Sequence, residues 1–213
     1  MSQFTLLHVD DALIVADKPA GLLSVPAGGA AAQRDSLVTL VQAQYPDALI
    51  VHRLDAATSG LVLLARGLEM LRRLSLAFEQ RVIGKTYIAR VYGHVAADSG
   101  EIALPLGPNP DNRPRQRVDH ATGRSALTRY TADSREGAGD SATTRLTLKP
   151  LTGRSHQLRV HLQSLGHPIV GDPLYAPPEL ATQAERMCLH ATAISFIHPE
   201  KRTPMQFSSP APF

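Results

Sequence analysis

A run of five apolar residues, Leu61 to Ala65, constrains the fold of this chain more than any other segment. Such a run, bounded by turn-forming residues, is typical of a strand that is buried on both faces. It follows directly on a compact polar segment, residues 51–60, with the sequence VHRLDAATSG. Arg53 and Asp55 therefore lie on a turn that leads into the core. Because an unpaired buried carboxylate is costly, Asp55 is either a paired structural anchor of this turn or a reactive group.

The composition is typical of a globular protein, and the low cysteine content suits a reducing compartment, although a secreted chain could also lack cysteine. The chain has 213 residues, 43% of them hydrophobic, which predicts one domain over residues 1–213 with a sizeable core. Its one cysteine, Cys188, excludes an internal disulfide and a cysteine-rich zinc site. The N-terminus has no basic segment before its apolar residues, and no uncharged apolar run nears the roughly 18 residues that span a bilayer. We therefore expect a cytoplasmic protein without a signal peptide or membrane segment.

The pattern of apolar and turn residues predicts more strands than helices. The connections between most neighbouring strands are of hairpin length, which favours antiparallel pairing. The sequence therefore predicts an α+β fold, with a mixed, mostly antiparallel sheet and a few helices packed on it. Strands are predicted at residues 6–9, 12–16, 61–65, 85–92, 101–106, 125–130, 143–148, 189–197 and 204–207, and helices at about 36–45, 67–81 and 152–165.

Residues 113–129 contain five arginines and one acidic residue. The net charge of +3 is only weakly basic, so this local cluster is more informative than the sum. Because three prolines fall within residues 108–114, residues 107–114 are predicted to lie outside regular structure, and the arginines are expected on a loop. Guanidinium groups bind phosphate oxygens and stack on bases. Arg113, Arg115 and Arg117 therefore either contact phosphates or belong to a solvated loop without a ligand.

Several kinds of active site are excluded by the spacing of the residues they would need. No HExxH pattern occurs, and His156 and His161 are five residues apart, so they do not lie on one helical face. The chain has no Walker A, GxGxxG or GxSxG pattern, and the HRLD tetrapeptide lacks the glycine-rich loop and DFG of a kinase. What remains is a single carboxylate near arginines and a tyrosine, which can act as a nucleophile or base without a cofactor. A second acid for glycoside hydrolysis is not evident.

Four long motifs occur in order along the chain. They read KPAGLLSVP from Lys18, VHRLDAATSG from Val51, GKTYIARVYG from Gly84 and TGRSHQLRVHLQSLGHPIVGD from Thr152. Together they resemble the pseudouridine synthases of the RluA family, over the chain from about Leu6 to its end. The likeness is greatest to the short branch of that family, which acts on both 23S rRNA and tRNA and lacks an S4 RNA-binding domain.

This resemblance implies the isomerisation of uridine in RNA. The N-glycosidic bond breaks, the base turns within the site, and a C–C bond to the same sugar forms. The family uses no metal or nucleotide cofactor, and its single catalytic domain has an active-site cleft across the sheet. The expected substrates are uridines in a tRNA anticodon stem-loop, a 23S rRNA hairpin or both. Base-modifying enzymes of this size are commonly monomers, which we expect here.

The resemblance also assigns roles to individual residues. Asp55 falls on the essential aspartate of the family, Tyr87 on the tyrosine that stacks on the base, and Arg159 on the basic residue that pairs with the aspartate. Arg53 matches the arginine that enters the space left by the extruded uridine. Whether Asp55 attacks the sugar, adds to the base or removes a sugar proton stays open.

For other residues two interpretations stay open. Arg154, His156 and Gln157 either begin a solvated helix or contact phosphates. Leu189 either lines the pocket, as in the family, or is a plain core leucine. For the whole chain, the alternative to an isomerase is an RNA-binding protein with idle catalytic residues. A hydrolase of another glycosidic bond would lack its second acid.

Overall fold

The computed structural model describes residues 4–28, 35–182 and 184–213. The Gly- and Ala-rich segment at residues 26–32 lies partly outside the described residues. The chain divides into two compact units. The first unit is Met1–Lys85 with His190–Pro212, and the second is Thr86–Leu189 with Phe213. The prediction of one domain over residues 1–213 stays a prediction.

The described residues contain more strands than helices, as the sequence predicts. The strands are β1 (Thr5–Val9), β2 (Leu13–Lys18), β3 (Ala48–Ile50), β4 (Ser59–Arg66), β5 (Gly84–Tyr92), β6 (Ser99–Ile102), β7 (Leu106–Pro108), β8 (Gln116–Val118), β9 (Thr128–Glu136), β10 (Thr143–Pro150), β11 (Leu189–Ile197) and β12 (Pro204–Ser208). The helices are α1 (Leu37–Gln42), α2 (Gly67–Glu79), α3 (Gln157–Ser164) and α4 (Pro178–Ala181). None of them is long and apolar enough to cross a membrane.

The first unit is organised around β4, as its apolar sequence predicts. Residues 61–65 are all buried, and β4 pairs antiparallel with β2 and β3 and parallel with β11. The strand order is β1–β2–β4–β11, and β12 pairs with β11. Met70 and Leu74 of α2 pack against Leu61 and Leu63 on one face of the sheet. The predicted mixed, mostly antiparallel sheet is therefore confirmed.

The parallel pairing of β4 with β11 requires a glycine at position 60. In its register His190 lies opposite Ser59, and Ala191 lies opposite Gly60. Gly60 has φ +111°, and a Cβ there would overlap the backbone of Ala191. Only glycine adopts this conformation without strain and allows the two backbones to approach so closely. The Ser59-Gly60 pair of the polar motif thus serves strand pairing.

The second unit contains an antiparallel sheet with the order β5–β10–β9–β6. A separate pair, β7 and β8, flanks the proline-rich segment: Gly107 lies opposite Arg117, and Pro108 lies opposite Gln116. The prediction that residues 107–114 lie wholly outside regular structure is therefore wrong at its first two residues. We call residues 106–118 the arginine hairpin.

The start of α3 also differs from the prediction. The helix begins at Gln157 rather than at residue 152, and it follows His156, which has a left-handed conformation with φ +54°. The Thr152 hydroxyl donates to Gln157 Oε1 (2.7 Å) and accepts from the amide of Leu127 (2.9 Å). The predicted C-terminal end is confirmed, because Gly166, with φ +84°, follows the last turn.

Candidate active site

Asp55 lies on an irregular turn that leads into β4, as the sequence predicts. Its carbonyl oxygen accepts a hydrogen bond from the amide of Thr58 (3.0 Å), which closes the turn one residue before the strand. Its side chain is partly exposed, whereas Leu54 before it and Thr58 after it are buried. The backbone around Asp55 is therefore fixed between two buried residues, while Asp55 itself is partly exposed.

The first sequence motif holds this turn from both sides of Asp55. Ser24 Oγ donates to the carbonyl of Leu54 (2.7 Å) and accepts from the amide of Leu54 (3.0 Å). The amide of Gly21 donates to the carbonyl of Ala56 (2.7 Å). The residues before and after Asp55 are thus both bonded to the KPAGLLSVP segment. This explains why the two motifs occur together, since one supports the other.

Lys18 is a fully buried lysine that also contacts this turn. Its ammonium donates to the carbonyls of Pro19 (3.0 Å), Leu22 (2.8 Å) and Ala56 (3.2 Å). Carbonyl oxygens replace the water that a buried ammonium loses. The sequence motifs predicted no role for Lys18, although a lysine at the end of the apolar β2 is itself an indication of an internal partner.

A chain of polar side chains fixes the residue at which β4 begins. Ser59 Oγ lies 2.7 Å from His190 Nδ1, and His190 Nε2 lies 3.2 Å from both the carbonyl and the hydroxyl of Ser209. The Ser209 hydroxyl donates to the carboxylate of Asp17. Because a carbonyl can only accept, Nε2 carries the hydrogen, and in the neutral imidazole Nδ1 accepts from Ser59. The hydrogen bonds then run in one direction, from Ser59 to His190, from His190 to Ser209, and from Ser209 to Asp17.

His52 of the polar motif is a structural residue. Its Nε2 accepts from the amide of Leu63 (3.0 Å), and its ring centroid lies 4.6 Å from that of Phe78. Burial, and secondly the positive charge of Lys85, lower the pKa of His52 to about 3. Burial also lowers the pKa of Lys85. His52 is therefore neutral at physiological pH and serves to position β4.

In the second unit, Arg159 of α3 forms a buried charge pair that the sequence did not predict. Its Nε and Nη2 each lie 2.7 Å from an oxygen of Asp172. The side-chain exposures of Arg159 and Asp172 are 4% and 0%. Asp172 also accepts from the amides of Leu174 (2.9 Å) and Tyr175 (3.1 Å). Asp172 thus fixes the guanidinium plane of Arg159, and the pairing of Arg159 with Asp55 stays a prediction.

Tyr87 and Leu189 lie on strands, as the sequence predicts. Tyr87 is partly exposed on β5, where it lies opposite Leu148 of β10. Leu189 begins β11 and is buried, with 4% of its surface exposed. Burial agrees with both of the interpretations given for Leu189. The stacking role of Tyr87 stays a prediction.

The three polar residues before α3 differ in their surroundings. Gln157 is buried, and its amide group bonds to Thr152, Thr128 and the backbone at residues 127 and 154. It is an internal anchor, rather than the solvent-facing or phosphate-facing residue expected from the sequence. His156 is partly exposed, with Nδ1 2.7 Å from the hydroxyl of Tyr175. Arg154, also partly exposed, donates to the carbonyl of residue 125 (3.1 Å).

Comparison with known proteins identifies the family. A family model described as RNA pseudouridylate synthase matches residues 12–164. This chain belongs to that family. It is 49% identical to the dual-specificity RNA pseudouridine synthase RluA of Yersinia pestis, over 98% of this chain and 99% of that protein. It is 46% identical to the protein of the same name from Escherichia coli K12, over 98% and 93%.

A solved structure supports the same fold. Human RNA Pseudouridylate Synthase Domain Containing 1 superposes with a TM-score of 0.83 at 26% sequence identity, covering 99% of this chain and 84% of the human chain. The protein is therefore an isomerase with a pseudouridine synthase fold. A pseudouridine synthase breaks the N-glycosidic bond of uridine and joins C5 of the same base to the same sugar, so that no atom is gained or removed.

A pseudouridine synthase must also hold RNA, and the predicted RNA-binding arginines lie near the surface. Arg53, Arg113 and Arg117 are exposed, and Arg115 is partly exposed. Arg117 lies in β8, and Arg113 and Arg115 lie just before it. Contact of these side chains with phosphate stays a prediction. Within residues 4–28, 35–182 and 184–213, no group of three or more His, Cys, Asp or Glu side chains is placed to hold a metal ion.

Proposed function

We propose that this enzyme isomerises uridines in stem-loops of tRNA and 23S rRNA, with Asp55 as the essential carboxylate. The observation that carries the proposal is the fixed backbone of the Asp55 turn, held at Leu54 and Ala56 by the preceding motif. The name of the relatives, dual-specificity synthases that match over nearly their whole length, supports the two RNA classes. These RNAs occur in the cytoplasm, where we expect the enzyme to act as a monomer.

The fixed backbone of the Asp55 turn favours a carboxylate that must be positioned accurately against one reacting atom. Displacement of a catalytic group by about 1 Å can cost about a hundredfold in rate, so a rigid backbone on both sides of Asp55 favours catalysis. Tyr87 would stack on the flipped base from a strand, whose backbone is also rigid. Arg159, with its guanidinium plane set by Asp172, would face the carboxylate of Asp55.

The exposed arginines would supply the energy that extrudes the uridine. Flipping a base out of a stem-loop costs a few kcal/mol. Insertion of Arg53 into the vacated space, together with contacts from the arginine hairpin to phosphates, would offset this cost. Both groups of side chains are available for this role, since Arg53, Arg113 and Arg117 are exposed.

The deciding experiment measures tritium release from RNA labelled at uridine C5, with separate tRNA and 23S rRNA hairpin transcripts. Wild-type enzyme is compared with Asp55→Asn, and with Asp11→Asn as a matched control, because Asp11 is exposed in the turn between β1 and β2. We expect release with wild type and Asp11→Asn, and binding without release with Asp55→Asn.

Each other result has a definite meaning. Turnover by a folded Asp55→Asn variant would refute the role of Asp55. Release from one transcript alone would restrict the proposal to that RNA class. Binding of both transcripts by wild type, without release from either, would favour an RNA-binding protein with idle catalytic residues.

A further inference from the structure

Tyr175 connects the arginine hairpin to the helix that carries Arg159. It is buried, with 5% of its surface exposed, and its ring packs with Leu106 of β7 and Val160 of α3. The guanidinium carbon of Arg159 lies 5.0 Å from the ring centroid, within the range of a cation–π contact. One aromatic ring therefore contacts both elements.

The hydroxyl of Tyr175 adds two hydrogen bonds. The backbone amide of Gln116 donates to it at 2.7 Å, and Nδ1 of His156 lies 2.7 Å away. Because an amide N–H can only donate, the hydroxyl accepts from Gln116 and has its own hydrogen available for His156. The hydroxyl thus bonds to the hairpin on one side and to the start of α3 on the other.

The partners of Tyr175 are adjacent to residues of functional interest. Gln116 lies between Arg115 and Arg117 in the arginine hairpin, and His156 lies three residues before Arg159. Asp172, which holds the guanidinium of Arg159, also accepts from the amide of Tyr175 (3.1 Å). The side chain and the backbone of Tyr175 are therefore both tied to the surroundings of Arg159.

We propose that Tyr175 is a positioning residue that fixes the arginine hairpin relative to Arg159. A two-stranded hairpin is at best marginally stable alone, so its position depends on external anchors. RNA phosphates bound by Arg115 and Arg117 then reach the enzyme at a set distance from Arg159. The proposal rests on the proposed function, because it requires that the hairpin binds the substrate RNA.

The first test compares Tyr175→Phe with Tyr92→Phe. Tyr92 is a matched control, since it is also buried in the second unit and its hydroxyl donates to the carbonyl of Leu180 (2.6 Å). Single-turnover tritium release is measured at saturating RNA, with Kd measured separately. We expect Tyr175→Phe to lower the rate about tenfold, as for the loss of two hydrogen bonds, with Kd raised about threefold or less. Tyr92→Phe should change both by less than about twofold.

A double-mutant cycle separates positioning from general stability. Tyr175→Phe is repeated in the Arg115→Gln/Arg117→Gln background, at RNA concentrations above its Kd. If Tyr175 acts through the hairpin, its effect on the rate shrinks to about twofold there, because the hairpin no longer places the RNA. An equal reduction in both backgrounds, or a Tyr175→Phe rate within about twofold of wild type, overturns the proposal.

Thermal unfolding checks that each variant is folded. If Tyr175→Phe does not fold, His156→Asn takes its place with the same criteria, because asparagine tolerates the left-handed backbone of residue 156. Inactive wild type would contradict the proposed function. Active wild type with an unaffected positioning variant would contradict only the role of Tyr175.

Discussion

Replacement of Lys18 by methionine tests whether the turn of Asp55 depends on a buried ammonium. Methionine keeps an unbranched stem of similar length and removes the charge that three carbonyl oxygens accept. Hydrogen bonds to charged groups contribute about 1.5–3 kcal/mol each, but the ammonium also loses its hydration on burial, which offsets part of the sum. We therefore expect Lys18→Met to lower the free energy of unfolding by about 3 kcal/mol.

The activity of the molecules that stay folded should also fall. One of the three carbonyls belongs to Ala56, the residue after Asp55. Without the ammonium, this carbonyl keeps only the hydrogen bond from the amide of Gly21. A shift of the carboxylate by about 1 Å can cost about a hundredfold in rate. We expect tritium release per folded molecule to fall by about that factor, with folding followed by circular dichroism in urea.

Lys201→Met is the matched control for this prediction. Lys201 is an exposed lysine of the same unit whose ammonium bonds to Asp10 (2.8 Å), and its replacement should change neither folding nor turnover appreciably. A Lys18→Met variant with a stability decrease under about 1 kcal/mol, or with wild-type turnover, would show that the buried ammonium does not hold the turn.

Three further predictions concern pH, the polar chain at β4 and the hairpin. The pKa of His52 is lowered from 6.5 to about 3, so between these values the unfolded state binds a proton that the folded state does not, and the free energy of unfolding decreases as the pH is lowered. His52→Gln should make the free energy of unfolding less dependent on pH in urea titrations from pH 4 to 7, and an unchanged dependence would contradict the assignment. His190, in β11, and His198, just after it, are both buried histidines with hydrogen bonds at both ring nitrogens. Only His190 bonds to Ser59 at the start of β4, so His190→Asn should lower turnover per folded molecule and His198→Asn should not; equal rates would mean that His190 has no positioning role. Arg115→Gln/Arg117→Gln should weaken RNA binding and reduce the slope of log Kd against log salt concentration by roughly one for each phosphate that the variant no longer binds. If filter binding gives the wild-type slope, the hairpin does not contact RNA phosphates.

The local spacing of apolar residues predicted the strands and helices that form mainly from their own sequence. The apolar run at residues 61–65 became β4, and the glycine and leucine spacing from residue 67 became α2. The pairing of β7 with β8 does not follow from the sequence, because prolines argue against a strand. The amide of Gln116 points away from Pro108, which lies opposite it, and donates to Tyr175. Pro108 thus stands at a position where the pairing needs no N–H, so a proline is tolerated there.

The site shows the same division between local pattern and long-range contact. Four ordered motifs, through their resemblance to a known family, predicted the reaction and named Asp55, Tyr87 and Arg159 as candidates. The bonds from Asp172 to Arg159 and from Lys18 to the turn of Asp55 join residues that are not neighbours in the sequence, and no motif predicted them. The physical reason is that periodicity reports which face of an element is buried, whereas the partner of a buried polar group depends on which elements become neighbours.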